Sequence, residues 1–319
     1  MMLVNLLFLL IGLFLLFKGG ELFVDSSVGI SRILKMPRLI IGATIVSIAT
    51  TLPELTVSAL SSFKGEPGLA IGNAVGSCIA NIGLIIGLVC LVKGALIFRK
   101  DEVIFPLRAM LLTSSIIFIL TLPLKIHRVS GFVLIAFAIV FLILNIKKRA
   151  SANQAKDLRF SDRKESLSRC IIFFIIGILL ILLGSRFLVS SAVAIAYFFG
   201  ISPTVIGLTI AAVGTSLPEL VTAFVSVRKN ETDLSLGNII GANVLNMTLV
   251  IGGAACINPL YLSRFTQIYS IPVMLLISSV LAFFILRRKQ LTHKEGKIIL
   301  TLYVIYIFGL ILATLAGIR

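Results

Sequence analysis

The 319-residue chain is 58% hydrophobic and only 13% charged, with a mean hydropathy of +1.12, far from the balance of a water-exposed globular domain. No polar stretch is long enough for a second, soluble domain. The net charge of +16 would suit nucleic acid in a soluble protein, but here the basic residues crowd into short loops between apolar runs, the mark of membrane topology.

Apolar stretches of about 18–25 residues, each long enough to cross a bilayer, predict an all-α integral membrane protein. The spans fall near 2–24, 38–62, 68–92, 103–122, 129–146, 170–196, 203–227, 233–256, 266–286 and 297–316. The first stretch is apolar through Phe17 with no Lys or Arg ahead of it, so it reads as a spanning helix and not a leader peptide.

The second predicted span contains Thr50-Thr51-Leu52-Pro53-Glu54-Leu55. Pro53 cannot donate to the carbonyl of Ala49, so the helix is expected to kink or break and leave carbonyl oxygens free there. A glutamate at membrane depth costs roughly 2.5–3.5 kcal/mol and marks an ion or proton pathway by default. Thr50 and Glu54, four residues apart, share a helix face. The third span places Asn73, Ser77 and Asn81 on one stripe, with Gly72 and Gly76 in a spacing that permits close helix approach.

The polar, basic stretch 147–169 reads as a flexible linker between halves 1–146 and 170–319. Beyond it the pattern returns. The seventh span holds Thr215-Ser216-Leu217-Pro218-Glu219-Leu220, with the carbonyl of Gly214 expected to be left free by Pro218. The eighth carries Asn238, Ala242 and Asn246 at the same spacing as the third. A shift of 165 residues aligns 41–87 with 206–252 without a gap, and 20 of the 47 positions are identical. Gly12 and Gly19 match Gly177 and Gly184 under the same shift.

Five spans per half place the second half upside down, and inverted repeats are the usual basis of alternating access in secondary transporters. Loops after odd-numbered spans, with their flanks, carry 22 basic residues against 4 for the even ones. The bias predicts a cytoplasmic central loop and both termini outside the cell membrane.

Lys18, Glu21, Asp25 and Arg186 read as interfacial or pairing charges, and Thr44 and Thr209 as helix-packing hydroxyls. Cys78, Cys90, Cys170 and Cys256 lack metal-ligand spacing and read as packing residues. No nucleophile elbow, HExxH or phosphate loop occurs, so catalysis on a covalent substrate has no support. No cofactor and no nucleic-acid partner is expected. The candidate ligands are all oxygen, which suits hard cations such as Ca²⁺ and Na⁺.

The paired motifs IGATIVSIATTLPEL…IGNAVGSCIAN and IGLTIAAVGTSLPEL…LGNIIGANVLN resemble the α-repeats of the Ca²⁺/cation antiporter superfamily, and of prokaryotic sodium/calcium exchangers most closely. The resemblance spans essentially the whole chain. It implies a monomeric antiporter with Glu54 and Glu219 as the central calcium ligands. Thr50, Thr51, Ser77, Asn81, Thr215 and Ser216, plus carbonyls near Ser47 and Ala212, would complete the calcium and sodium sites. Asn73, Asn238 and Asn246 join the set through the stripes described above. Two positions depart from the family pattern: Asn246 replaces a common acidic residue, and Ala242 a serine. The expected activity is Na⁺/Ca²⁺ antiport, with H⁺/Ca²⁺ antiport as the alternative and a cation channel as a third, disfavoured reading.

Overall fold

The computed structural model describes residues 2–147, 166–199, 214–288 and 290–316. Among them, eight helices are long and apolar enough to cross a membrane, and a ninth candidate is a bent pair. They are α1 (Met2–Ile33), the pair α2 (Arg38–Thr50) and α3 (Leu52–Phe63), α4 (Pro67–Lys93), α5 (Lys100–Leu120), α6 (Arg128–Lys147), α7 (Leu167–Phe198), α8 (Leu217–Arg228), α9 (Thr232–Ile257), α10 (Thr266–Arg287) and α11 (His293–Leu315). Of these, α8 is too short to span alone. The linker after residue 147 lies almost wholly outside the described residues, as does most of the stretch preceding α8. Helices suit these runs because a bilayer offers no water to an unpaired backbone group.

α1 and α7 are longer than their hydropathy suggests. Each has 32 residues, about 48 Å at 1.5 Å per residue, more than the about 30 Å of hydrocarbon requires. The expected end near residue 24 is therefore corrected to Ile33. The helix passes Asp25 because Lys229 pairs with that carboxylate at 2.5 Å, and Arg32 falls in the last helical turn, not in a loop. Lys18 likewise pairs with Glu21 at 3.2 Å.

α1 and α7 cross antiparallel at glycines. A methyl at Gly12 would meet Gly184 O at 3.0 Å, and one at Gly19 would meet Gly177 O at 2.9 Å. Their outer sides remain exposed, whereas α4 and α9 are the most buried spans. α2 packs against α9 at equally close range. A side chain at Gly241 would lie 2.6 Å from Ala43 Cα, and one at Gly42 would lie 2.8 Å from Asn238 N. Nothing among the described residues comes within 4 Å of a methyl at Gly72 or Gly76.

Two short antiparallel ribbons tie the loops. β1 (Ala95–Ile97) pairs with β4 (Gln290–Thr292), and β2 (Lys125–Ile126) with β3 (Leu260–Tyr261). Thr232 Oγ1 donates to Ile97 O at 2.8 Å, and Lys93 Nζ to Asn230 Oδ1 at 2.5 Å. These bonds gather the 94–99, 229–231 and 288–292 connections at one end of the bundle. At the other end, Leu262 N donates to Leu124 O at 3.0 Å and Asn258 Nδ2 to Ser62 O at 2.9 Å.

Candidate ion-binding site

The first proline-containing motif breaks its helix as expected. α2 and α3 meet at Thr51 with a bend of 43°. Thr51 N still reaches Ser47 O at 3.0 Å, and Leu55 N reaches Thr51 O at 3.0 Å, but Pro53 has no N–H to offer Ala49. In the second motif α8 starts at Leu217, with Pro218 in its first turn and Glu219 directly after it. Each glutamate thus sits in the first turn of a helix, where the positive end of the peptide dipoles favours a carboxylate.

Glu54 and Glu219 are both fully buried and interact electrostatically. Their partners are few. Ser77 Oγ approaches Glu54 Oε1 at 3.4 Å, while Glu54 Oε2 and both Glu219 oxygens find no hydrogen bond among the described residues. The Ser216 hydroxyl lies toward Glu54 and the Thr50 hydroxyl toward Glu219, so each motif offers oxygen to the other's carboxylate. Thr50 Oγ1 donates to Asn238 Oδ1 at 3.1 Å. Thr51 Oγ1 and Ser216 Oγ are buried without a partner.

α4 and α9 supply the amides. Asn81 and Asn246 are fully buried, and each opens a widened turn, over Asn81–Ile86 and Asn246–Val250. Such turns, with i→i+5 bonding, concentrate at functional sites. Neither amide atom of Asn246 has a partner. Asn81 Nδ2 donates to Asn243 Oδ1 at 3.0 Å, leaving Asn81 Oδ1 unpaired.

Not every expected ligand stands free. Asn73 is half-buried and donates to Glu54 O at 3.1 Å and Ser58 Oγ at 2.9 Å, so it braces the first turn of α3. Ser47 Oγ donates to Thr44 O at 3.0 Å, and its own carbonyl is taken by Thr51 N. Thr215 is half-buried. Ala212 and Thr209 lie outside the described residues. Thr44, read as helix-packing glue, is corrected: its hydroxyl donates within α2, to Ile40 O at 2.6 Å.

Sequence reasoning missed Asn243. Its Nδ2 donates to Cys78 O at 3.1 Å, and Cys78 Sγ approaches Asn243 O at 3.7 Å. The two residues are 165 positions apart, the interval of the repeat, so they occupy equivalent places in their motifs and touch each other where α4 and α9 cross. The signal was present in GSCIAN and GANVLN, but Cys78 reads as a packing residue and hides the pairing.

Chemically, this is a buried cluster of two carboxylates, several hydroxyls and amide oxygens, with no facing cationic side chain among the described residues. Two uncompensated carboxylates in a low-dielectric interior are very unfavourable, and a bound cation relieves that cost. All-oxygen donors from flexible helix breaks suit Ca²⁺ and Na⁺.

Comparison with known proteins points the same way. The profile of the family described as sodium/calcium exchanger protein matches residues 4–147 and 170–312. The chain is 36% identical to the inner membrane protein YrbG of Escherichia coli, over 92% of each chain. It is 30% identical to the sodium/calcium exchanger MaX1 of Methanosarcina acetivorans, over 96% of this chain and 98% of that one. Among solved structures, the sodium-calcium exchanger NCX_Mj, in crystals soaked with zero Na⁺ and Ca²⁺, superposes with a TM-score of 0.85. It has 29% identity and covers 97% of this chain and 100% of its own.

Proposed function

The chain belongs to the sodium/calcium exchanger protein family, and from that premise we propose how it performs Na⁺/Ca²⁺ antiport. Glu54 and Glu219 form one central cation site at the meeting point of the two broken helices. The observation that carries this reading is the pair of fully buried carboxylates with three of four oxygens unpaired. A single Ca²⁺ neutralises both. Thr50, Thr51, Ser77, Ser216 and Asn81 offer further oxygens, with carbonyls near Ser47 and Ala212, and with Thr215, Asn238 and Asn246 at the periphery. Asn73 holds α3 in place.

When Ca²⁺ leaves, the same oxygens accept Na⁺. Occupancy by one ion excludes the other, so the two gradients are coupled without a nucleotide or catalytic step. Alternating access follows from ten spans arranged as two inverted five-helix halves, 1–146 and 170–319, joined by the 147–169 linker. Several contacts support that arrangement: the antiparallel glycine crossing of α1 and α7, the mutual Cys78–Asn243 contact, and the ribbons. Residues 95 and 125 shifted by 165 give residues 260 and 290, so β1 corresponds to β3 and β2 to β4, and the β1–β4 and β2–β3 ribbons are equivalent pairs. The basic ends of the bundle face the cytoplasm, with the termini outside. One chain holds both half-sites, so transport needs no second copy.

Family membership favours Na⁺ over H⁺ as the coupling ion. Proteoliposomes loaded with Na⁺ at equal internal and external pH test it: Ca²⁺ uptake should follow the outward Na⁺ gradient. Uptake that ignores Na⁺ and follows a pH gradient would reject it.

A further inference from the structure

The face of α8 that carries Glu219 does not end there. Thr222 and Ser226 follow at i+3 and i+7 on the same face, both fully buried, and neither hydroxyl has a hydrogen-bond partner among the described residues. Single buried helix hydroxyls at Ser185 and Ser278 also lack partners, but on α8 two occur in succession on one face. Buried helix hydroxyls here ordinarily bond the carbonyl four residues back, as in Ser27 to Phe23 O at 2.6 Å, Thr113 to Ala109 O at 2.9 Å and Thr248 to Val244 O at 2.6 Å. An orphaned buried hydroxyl costs about 1–3 kcal/mol, and two in succession, aligned with a buried carboxylate, point to a polar occupant.

Under the 165-residue shift Thr222 and Ser226 correspond to Val57 and Ser61 of α3, and the hydroxyls next to those positions are bonded to neighbouring helices. Ser58 donates to Ala70 O at 3.1 Å and accepts from Asn73, and Ser62 donates to Ala254 O at 2.7 Å. The opposite side of α8 is apolar, with Val221 and Val225 against Gly20 of α1. On the Glu219–Thr222–Ser226 face, both carboxylate oxygens and both hydroxyls are unsatisfied among the described residues.

That face leads to the end of the bundle rich in basic residues. Glu231 N caps Ser226 O at 2.7 Å, one turn before α9 begins. The cations there are engaged elsewhere: Arg38 with Glu231, Lys229 with Asp25, Lys93 with the Asn230 oxygen, and Arg228 over the Phe17 ring at 4.8 Å. Arg38 and Lys229 are thus paired with carboxylates, while Lys93 and Arg228 are held by neutral partners.

We propose that Thr222 and Ser226 are waypoints for a partly dehydrated Na⁺ or Ca²⁺ ion, forming a route of about 10 Å (1.5 Å per residue) between Glu219 and the cytoplasmic face. Neutral hydroxyls suit transit: they replace part of a hydration shell without holding the ion as a carboxylate does. The proposal rests on the placement of the central site at Glu219.

Two measurements test it. Thr222→Val and Ser226→Ala, near-isosteric changes, should each slow Ca²⁺ exchange about tenfold, the loss expected when one oxygen partner is withdrawn from an ion in transit, with equilibrium Ca²⁺ affinity unchanged. Ser226→Cys should react with a membrane-impermeant cationic methanethiosulfonate above the wild-type level, from the cytoplasmic face only. Wild-type exchange rates in both hydroxyl variants, with no added labelling of Ser226→Cys from either face, would overturn the route. Labelling of Ser226→Cys in a Glu219→Gln background does not depend on exchange. A failure of the central site would show as normal exchange in Glu219→Gln, whatever the labelling.

Discussion

The Pro53 and Pro218 segments share a sequence pattern but not an environment. Around Glu54, where Oε2, Thr51 Oγ1 and Asn81 Oδ1 lack partners, several other polar groups are engaged: Ser77 leans on the carboxylate, Asn73 braces the backbone, and Ser58 and Ser62 bond to carbonyls of other helices. Around Glu219 they are not, since both carboxylate oxygens, Thr222, Ser226 and Asn246 lack partners. Duplication preserved the charges that any bound cation needs. The surrounding shell diverged into a braced side and a side with spare hydrogen-bonding capacity.

The largest expected effect tests what the two segments have in common. Glu54→Gln and Glu219→Gln should each lower Ca²⁺ exchange by about 100-fold or more while the protein still inserts, because each removes a unit charge facing a divalent ion at low dielectric. Tracer uptake in proteoliposomes measures it. Equal loss in both variants would show that the braced and the unpaired carboxylate contribute alike.

The helix crossing separates the segments more finely. Asn243→Ala should destabilise the protein by about 1–3 kcal/mol, leaving Asn81 Nδ2 without a partner and withdrawing one of the two donors to Cys78 O. Cys78→Ala removes only a weak, long sulfur contact and should cost less than half as much. Thermal unfolding in detergent compares them, and equal costs would remove Asn243 as the stronger half of the pair.

Next comes Asn246→Asp, which adds a third carboxylate beside unpaired oxygens. It should alter apparent Ca²⁺ affinity or its pH dependence several-fold, read from tracer competition across pH, whereas no change would place Asn246 outside the site. The smallest effect belongs to Ala242→Ser, which restores the counterpart of Ser77 and should shift Na⁺ dependence about two- to threefold, the weight of one neutral hydrogen bond. An unchanged Na⁺ profile would mean that the loss of this hydroxyl is silent.

Much of this was legible in the chain. Hydropathy marks most of the spans, and the prolines mark the helix breaks, because lipid enforces helices and proline interrupts them wherever it falls. What escaped depends on tertiary partners. α1 was expected to stop before Asp25, yet it continues to Ile33 because Lys229, 204 residues away, pairs with that charge. The widened turns at Asn81 and Asn246 have no local code. Asn243 was passed over because its counterpart is a cysteine, and their contact exists only where α4 meets α9. Thr222 and Ser226 look like ordinary helical hydroxyls until the structure shows that they decline the usual backbone bond.

The central claim is that two segments make one site, and equilibrium Ca²⁺ binding to the purified protein tests it most directly. A single Ca²⁺ should bind per chain, and binding should vanish in Glu54→Gln and in Glu219→Gln alike. Retention of Ca²⁺ by either variant with wild-type affinity would mean that the two segments hold ions independently, and would contradict the account.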